Sequence, residues 1–195
     1  VLYFCTAYVQ KKEKEGGQMS VTTTAPQSNT WLVPDVIGLG GAVAGLFGGL
    51  ATIVVGAILS VMHGDDIWLQ SEQIAAVVLG ASAVSQVGFA LVPVVVGTLL
   101  HLVTSMLLGA FFGIIKRRVL KLPSDLGMPI WAGMVYGLLT WIIAFFIVLP
   151  LANPLLLDTY APSFVIQHIV YGIVTGVLYA YIRPAPYYTM TNSAA

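Results

Sequence analysis

Two of the three histidines in this 195-residue chain stand at matching places in a segment that occurs twice. His101-Leu-Val-Thr-Ser-Met-Leu-Leu-Gly109-Ala-Phe-Phe-Gly-Ile-Ile-Lys116 recurs as His168-Ile-Val-Tyr-Gly-Ile-Val-Thr-Gly176-Val-Leu-Tyr-Ala-Tyr-Ile-Arg183. Four of the sixteen positions are identical, and most others exchange apolar for apolar or small for small. Each copy places an imidazole in an apolar helix, where an ionisable group is costly and implies a role. Brought to one centre from opposite sides, His101 and His168 would be axial ligands for a haem iron of the b type, or half of a metal site. Tyr171, Thr175 and Thr104 would then orient the rings from behind.

The neighbours of the histidines make polar stripes. His168, Tyr171, Thr175 and Tyr179 follow at spacings of three, four and four, which puts them on one helix face. The matching face of the first copy carries His101, Thr104, Ser105, Leu108, Gly109 and Phe112, and Tyr136 and Thr140 form a four-spaced pair between the copies. The plainer chemistry for such a stripe is structural: hydroxyls and imidazoles bond to carbonyls and across helices, contributing roughly 0.6 kcal/mol each on average. That reading is preferred, with no cofactor as the leading expectation. A solute path lined by the stripe is a further alternative, and it would require an oligomer because four helices enclose little volume.

Other chemistries lack their parts. The chain has no His-Glu-x-x-His zinc motif and no Gly-x-x-x-x-Gly-Lys phosphate loop. The apolar segments hold no Asp or Glu to act as general acid or base and no internal cation to clamp a phosphate. Proton-coupled transport, which relies on such carboxylates, is demoted for the same reason. His63-Gly64-Asp65-Asp66 reads as a helix stop rather than a cation site. The basic run Lys116–Lys121 reads as a membrane-side anchor, not a nucleic-acid surface.

The elements that position these residues are membrane spans. The chain is 58% hydrophobic and 8% charged, against roughly 45–50% and 25% in soluble domains. Uncharged stretches of about 20 apolar residues mark transmembrane helices. The expected fold is an all-α integral membrane four-helix bundle, with spans at about 36–62, 91–115, 128–149 and 163–182 within a single domain, 36–183. Asp35 is placed to cap the first span. Residues 67–90 are interrupted by Ser71, Glu72, Gln73, Ser82, Ser85 and Gln86, and read as an interfacial segment rather than a fifth span. Residues 1–35 read as a leader and tail without a fold of their own, with translation expected to start at Met19. The chain from Met19 has no cysteine, five Lys/Arg and six Asp/Glu. Residues 184–195 form a C-terminal tail.

Lys116, Arg117, Arg118, Lys121 and Arg183 all fall on one side of this topology. Basic residues concentrate in the cytoplasm, so both termini and the 120–127 hairpin are expected there, with Asp65, Asp66, Glu72 and Asp158 outside. Gly41-Ala-Val-Ala-Gly45-Leu in the first span resembles Gly133-Met-Val-Tyr-Gly137-Leu in the third. The two offsets are 92 and 67 residues, and their difference matches the 67–90 insertion. Two hairpin repeats in parallel orientation follow, related by an axis along the membrane normal. Gly41, Gly45, Gly49, Gly109, Gly113, Gly133, Gly137, Gly172 and Gly176 form four-spaced small-residue grooves, the kind along which helix backbones approach closely. Trp31, Trp68, Trp131, Tyr187 and Tyr188 fit interfacial belts, Trp141 fits a packing role, and Leu155, Leu156 and Leu157 fit an interfacial outer loop.

The His168-x-x-Tyr171-Gly172-x-x-x-Gly176 pattern resembles the last helix of small uncharacterised prokaryotic membrane proteins with four spans. The likeness covers little beyond that helix and the hydropathy, and it implies location and fold only. The resulting expectation is a non-enzymatic packing, scaffold or accessory subunit of a prokaryotic inner membrane. Its expected partners are the lipid bilayer and either a second copy of itself or other membrane subunits.

Overall fold

A computed structural model describes residues 38–84, 88–120, 127–158 and 161–183. All regular structure among them is helical: α1 (Leu39–His63), α2 (Leu69–Leu79), α3 (Leu91–Ile114), α4 (Met128–Ile143), the short α5 (Leu149–Ala152) and α6 (Ala161–Ile182). Four stretches are long and apolar enough to cross a membrane: Leu39–His63, Leu91–Arg117, Met128–Ala152 and Ala161–Ile182. At 1.5 Å per residue even the shortest reaches about 33 Å, enough for the hydrocarbon layer. The outward faces carry large apolar side chains, with Leu107, Phe146 and Leu151 exposed, as a surface solvated by lipid requires. Asp35, Trp31, Tyr187, Tyr188, the proposed start at Met19 and the tail lie outside the described residues.

Local chemistry sets the ends. Gly64 stops α1 in the left-handed conformation at φ 87°, its amide and that of Asp65 returning to Val61 and Ser60 carbonyls. The start of α1 is Gly38, which offers no side-chain cap. The third span passes the expected stop at Pro150. A proline inside a helix leaves the carbonyl four residues earlier without its amide partner, and the preceding residues Ala144–Val148 open into a wide π turn. A second π turn, Ile115–Val119, ends α3 and turns Lys116 inward. Lys116, expected as a surface anchor, is only 2% exposed and lies over the Tyr179 ring.

Three tight helix contacts build the bundle, and glycine makes each one. Added Cβ atoms at Gly41 and Gly45 would strike the Gly109 and Ser105 carbonyls, so α1 and α3 pack backbone to backbone in antiparallel sense. Gly133 and Gly137 meet the Gly172 and His168 carbonyls, and Gly176 meets that of Pro129, which joins α4 to α6 in the same way. The third contact runs along a glycine row absent from the expected grooves. Gly40, Gly48 and Gly56, eight residues apart on α1, face Arg183, then Tyr171 and Thr175, then Gln167 of α6. Helix α1 is thus the spine, with one glycine face for α3 and another for α6.

The segment between the first two spans is α2 and a 3-10 turn, Ala81–Val84. Helix α2 has 11 residues, too few to span. It packs on the start of α3, where Gly97 leaves room for the Ser71 carbonyl. Leu156, expected at the interface, instead turns inward against Leu149 and Phe164. Asn153 ties the loop after α5 to α2 by donating to the Gln73 carbonyl at 2.8 Å.

Candidate functional site in the bundle interior

Most of the polar stripe residues face inward, and most of those are held by a named neighbour. His101 Nε2 lies 2.9 Å from Thr52 Oγ1 and 3.2 Å from the Gly49 carbonyl. The Thr52 hydroxyl spends its proton on the Gly49 carbonyl at 2.7 Å. Both partners of Nε2 therefore accept, so His101 carries its proton on Nε2 and ties α3 to α1. His168 behaves differently. Its Nδ1 lies 2.9 Å from the carbonyl of Phe164, one turn back on its own helix, and its ring sits edge-on to Phe164 at 4.5 Å. The proton is then on Nδ1 and no bond crosses to α4.

Three tyrosines of the second hairpin reach α3. Tyr171 donates to the Ser105 carbonyl at 2.7 Å, Tyr136 to Leu108 at 2.7 Å and Tyr179 to Gly113 at 3.1 Å. Their rings, with Phe112 and Ala44, form the apolar centre of the bundle. Phe112 packs against both Tyr136 and Tyr179 at 5.0 and 6.0 Å. These tyrosines are therefore at once core and cross-links. Mid-helix carbonyls can accept a second bond, so α3 takes all three without losing its own ladder.

Thr175 is fully buried between Gly48 and Tyr171, with its hydroxyl in no well-formed bond. Thr104, expected beside the imidazoles, lies on the exposed side of α3. Thr52 of α1 takes that place instead. Thr140 donates to the Gly137 carbonyl within its own helix. Trp141 is enclosed by Phe145 and Phe146, and its indole nitrogen has no partner. His63 and Asp65 stand 3.8 Å apart at the surface, both about half exposed. No cluster of three His, Cys, Asp or Glu occurs among the described residues.

Near α2 the interior ends in amides and one acid. Gln70 donates to Gln167 at 2.6 Å beside Gly56. Glu72, assigned with Asp65, Asp66 and Asp158 to one side of the membrane, is only 2% exposed, and its Oε1 has no partner. Hydropathy could not reveal this burial, because it depends on Gly97 admitting α2. Thr52 and Gly97 had a legible signal, however: each continues a helical stripe that already holds Gly49 or His101.

The arrangement does not fit a macrocycle between the histidines. The glycine grooves that would admit it are filled by helix backbone. Tyr171 crosses from α6 to α3, and His101 Nε2 is committed to Thr52 and Gly49. No protein-family model matches the chain, and no curated protein or solved structure shows significant similarity to it.

Proposed function

We propose that this protein is a non-enzymatic integral membrane subunit, a packing or scaffold element whose interior is organised to hold its own helices. The observation that carries the reading is the use of the polar interior. His101, His168, Tyr136, Tyr171, Tyr179 and Thr140 each bond to a backbone carbonyl within the bundle. Groups already bonded to their own scaffold are poorly placed to turn over a substrate, and among the stripe residues only Thr175 keeps a buried polar atom unspent.

In the proposal, the two hairpins derive from one repeat and share one orientation, with the basic ends of α3 and α6 cytoplasmic in a prokaryotic inner membrane. The glycine faces of α1 are already occupied, so association with a second copy or another subunit uses the exposed apolar faces. The test is purification in mild detergent followed by a visible spectrum and solute flux in proteoliposomes. A colourless protein that runs as an oligomer or with other membrane subunits, and adds no flux, is expected. A haem band, or flux of one solute above that of empty vesicles, would overturn the reading.

A further inference from the structure

Glu72 is the one acid among the described residues that the fold encloses, and nothing in the scaffold role uses it. It is 2% exposed, and one carboxyl oxygen is buried with no hydrogen-bond partner. The other side of the carboxyl meets the Ala90 amide at the start of α3, and Asp66 is near enough to repel a charge placed there. An ionised carboxylate is an acceptor on both oxygens, and leaving one buried and unpaired is costly. A protonated carboxyl removes that charge.

The helix that carries Glu72 is set off from both spans by glycine. Helix α2 is the short helix between the first two spans and does not itself span. It is flanked by Gly64 and Gly80, both at positive φ, 87° and 79°, and both with open space around them. Beside the packing of Ala75 and Ala76 near Val96 of α3 and of Ile74 near Leu149 and Phe164, it is held by the Gly97 notch for the Ser71 carbonyl, the Gln70–Gln167 amide bond, and the Asn153 bond to Gln73. Under it lie Gln167 and Gly56, one turn from Thr52, so docked α2 lies over the end of the polar interior.

We propose that α2 is a proton-controlled lid, docked while the Glu72 carboxyl is protonated and loosened when it ionises. Burial pushes this carboxyl up from its ordinary 4.5, Asp66 adds to the rise, and the Ala90 amide offsets part of it. The docked form therefore binds the proton more tightly than the released form. Docking is strongest below pH 4.5, weakens about tenfold for each pH step above it, and levels off once pH passes the docked value. On the elements packed against it, Glu72 faces Asp66 as the charged neighbour. Helix α3 contributes only His101 as an ionisable group, and α6 only His168 and its tyrosines; His101, His168, Tyr171 and Tyr179 hold bonds of their own. His63 and Asp65 form a surface pair before α2. Asp158 belongs to the turn packed on α2, and its side chain lies outside the described residues.

The test is hydrogen exchange of the α2 amides in lipid nanodiscs across pH 4 to 9, corrected for the chemical rate of free amides. In the native chain, protection of residues 69–79 should fall as pH rises, while α1 and α3 keep theirs. Glu72→Gln should keep α2 protected at every pH. Asp66→Asn preserves the acceptor that holds the Trp68 amide and should give a smaller loss, complete at a lower pH. A pH profile shared by the native chain and Glu72→Gln would overturn the proposal. So would α2 protection that is flat with pH in the native chain, or an Asp66→Asn profile that moves to higher pH.

Discussion

The two hairpins use the same histidine in different ways, and the cause is a slip of one helical turn. In the α1–α3 pair, Gly41 faces Gly109 and Gly45 faces Ser105. The sequence offsets of 92 and 67 residues would then set Gly133 opposite Gly176 and Gly137 opposite Gly172. The structure instead sets Gly133 against Gly172 and Gly137 against His168. A four-residue slip is about 5.4 Å along the axis. It carries His168 to the level that Ser105 occupies in the first hairpin, and leaves Phe164 and Trp141 at the level of His101 and Gly49. With the offset of 92, the chain also has Ala144 where the first hairpin has Thr52, so the acceptor oxygen is lost. His101 became a bond between helices. His168 turned back on its own helix. A residue type that recurs in a sequence match need not recur in its partner.

The largest effects should come from the glycines, because their contacts are with backbone, which cannot step aside. Gly41→Ile and Gly109→Ile in one hairpin, and Gly133→Ile and Gly172→Ile in the other, should each cost about 3 kcal/mol or more by forcing the helices apart. Gly40→Ala should cost far less, since a methyl there meets side chains and no backbone, Arg183 at 3.1 Å and Ile182 at 3.7 Å. Thermal unfolding in detergent separates the neighbours. If Gly40→Ala and Gly41→Ile shift the midpoint equally, the packing register of α1 is misread. If only one hairpin responds, the shared mode of packing fails.

Much of this was legible in the sequence, for a physical reason. Uncharged runs and prolines report transfer into lipid, so the four long helices follow from composition, and Gly64 announces its own stop. Four-spaced glycines report a close approach but not its register. Gly133 can face Gly172 or Gly176 with similar groove geometry, and four-residue spacing alone does not choose between them. Glu72 was illegible because hydropathy treats each acid as solvated. Its burial follows from a notch at Gly97, 25 residues along the chain. Thr104 shows the limit of periodicity: a residue next to an inward position is easily assigned to the wrong edge of the stripe.

The next effects should be smaller and unequal between the histidines. His101→Ala removes a bond between helices and leaves the Gly49 carbonyl with one fewer donor, a loss of about 1–2 kcal/mol. His168→Ala gives up a local bond and a ring contact, and should cost less, at about 1 kcal/mol. The double variant should be additive within about 0.5 kcal/mol, as expected of groups with separate partners. Chemical unfolding of the four proteins in one detergent measures the cycle. A coupling well above that margin, or one bound ligand lost in both single variants, would restore a shared site and end the contrast between the hairpins.

The finest comparison is between two threonines that look alike in sequence. Thr52 and Thr140 both donate to the carbonyl three residues back, at 2.7 and 2.8 Å, and both are buried. Only Thr52 also accepts from an imidazole. Valine keeps the shape of either side chain and removes the hydroxyl. At Thr140 the loss is a bond within a helix, since the Gly137 carbonyl keeps its place in the backbone ladder, and Thr140→Val should lie within about 0.5 kcal/mol of the native chain. At Thr52 the substitution also strips His101 of its nearer acceptor and leaves Nε2 only the longer contact to Gly49, so Thr52→Val should cost about 1 kcal/mol. In a His101→Ala background that difference should vanish, because no imidazole remains to miss the hydroxyl. A Thr52→Val cost that persists without His101 would mean the threonine acts on α1 alone, and the histidine would no longer count as the link between α3 and α1.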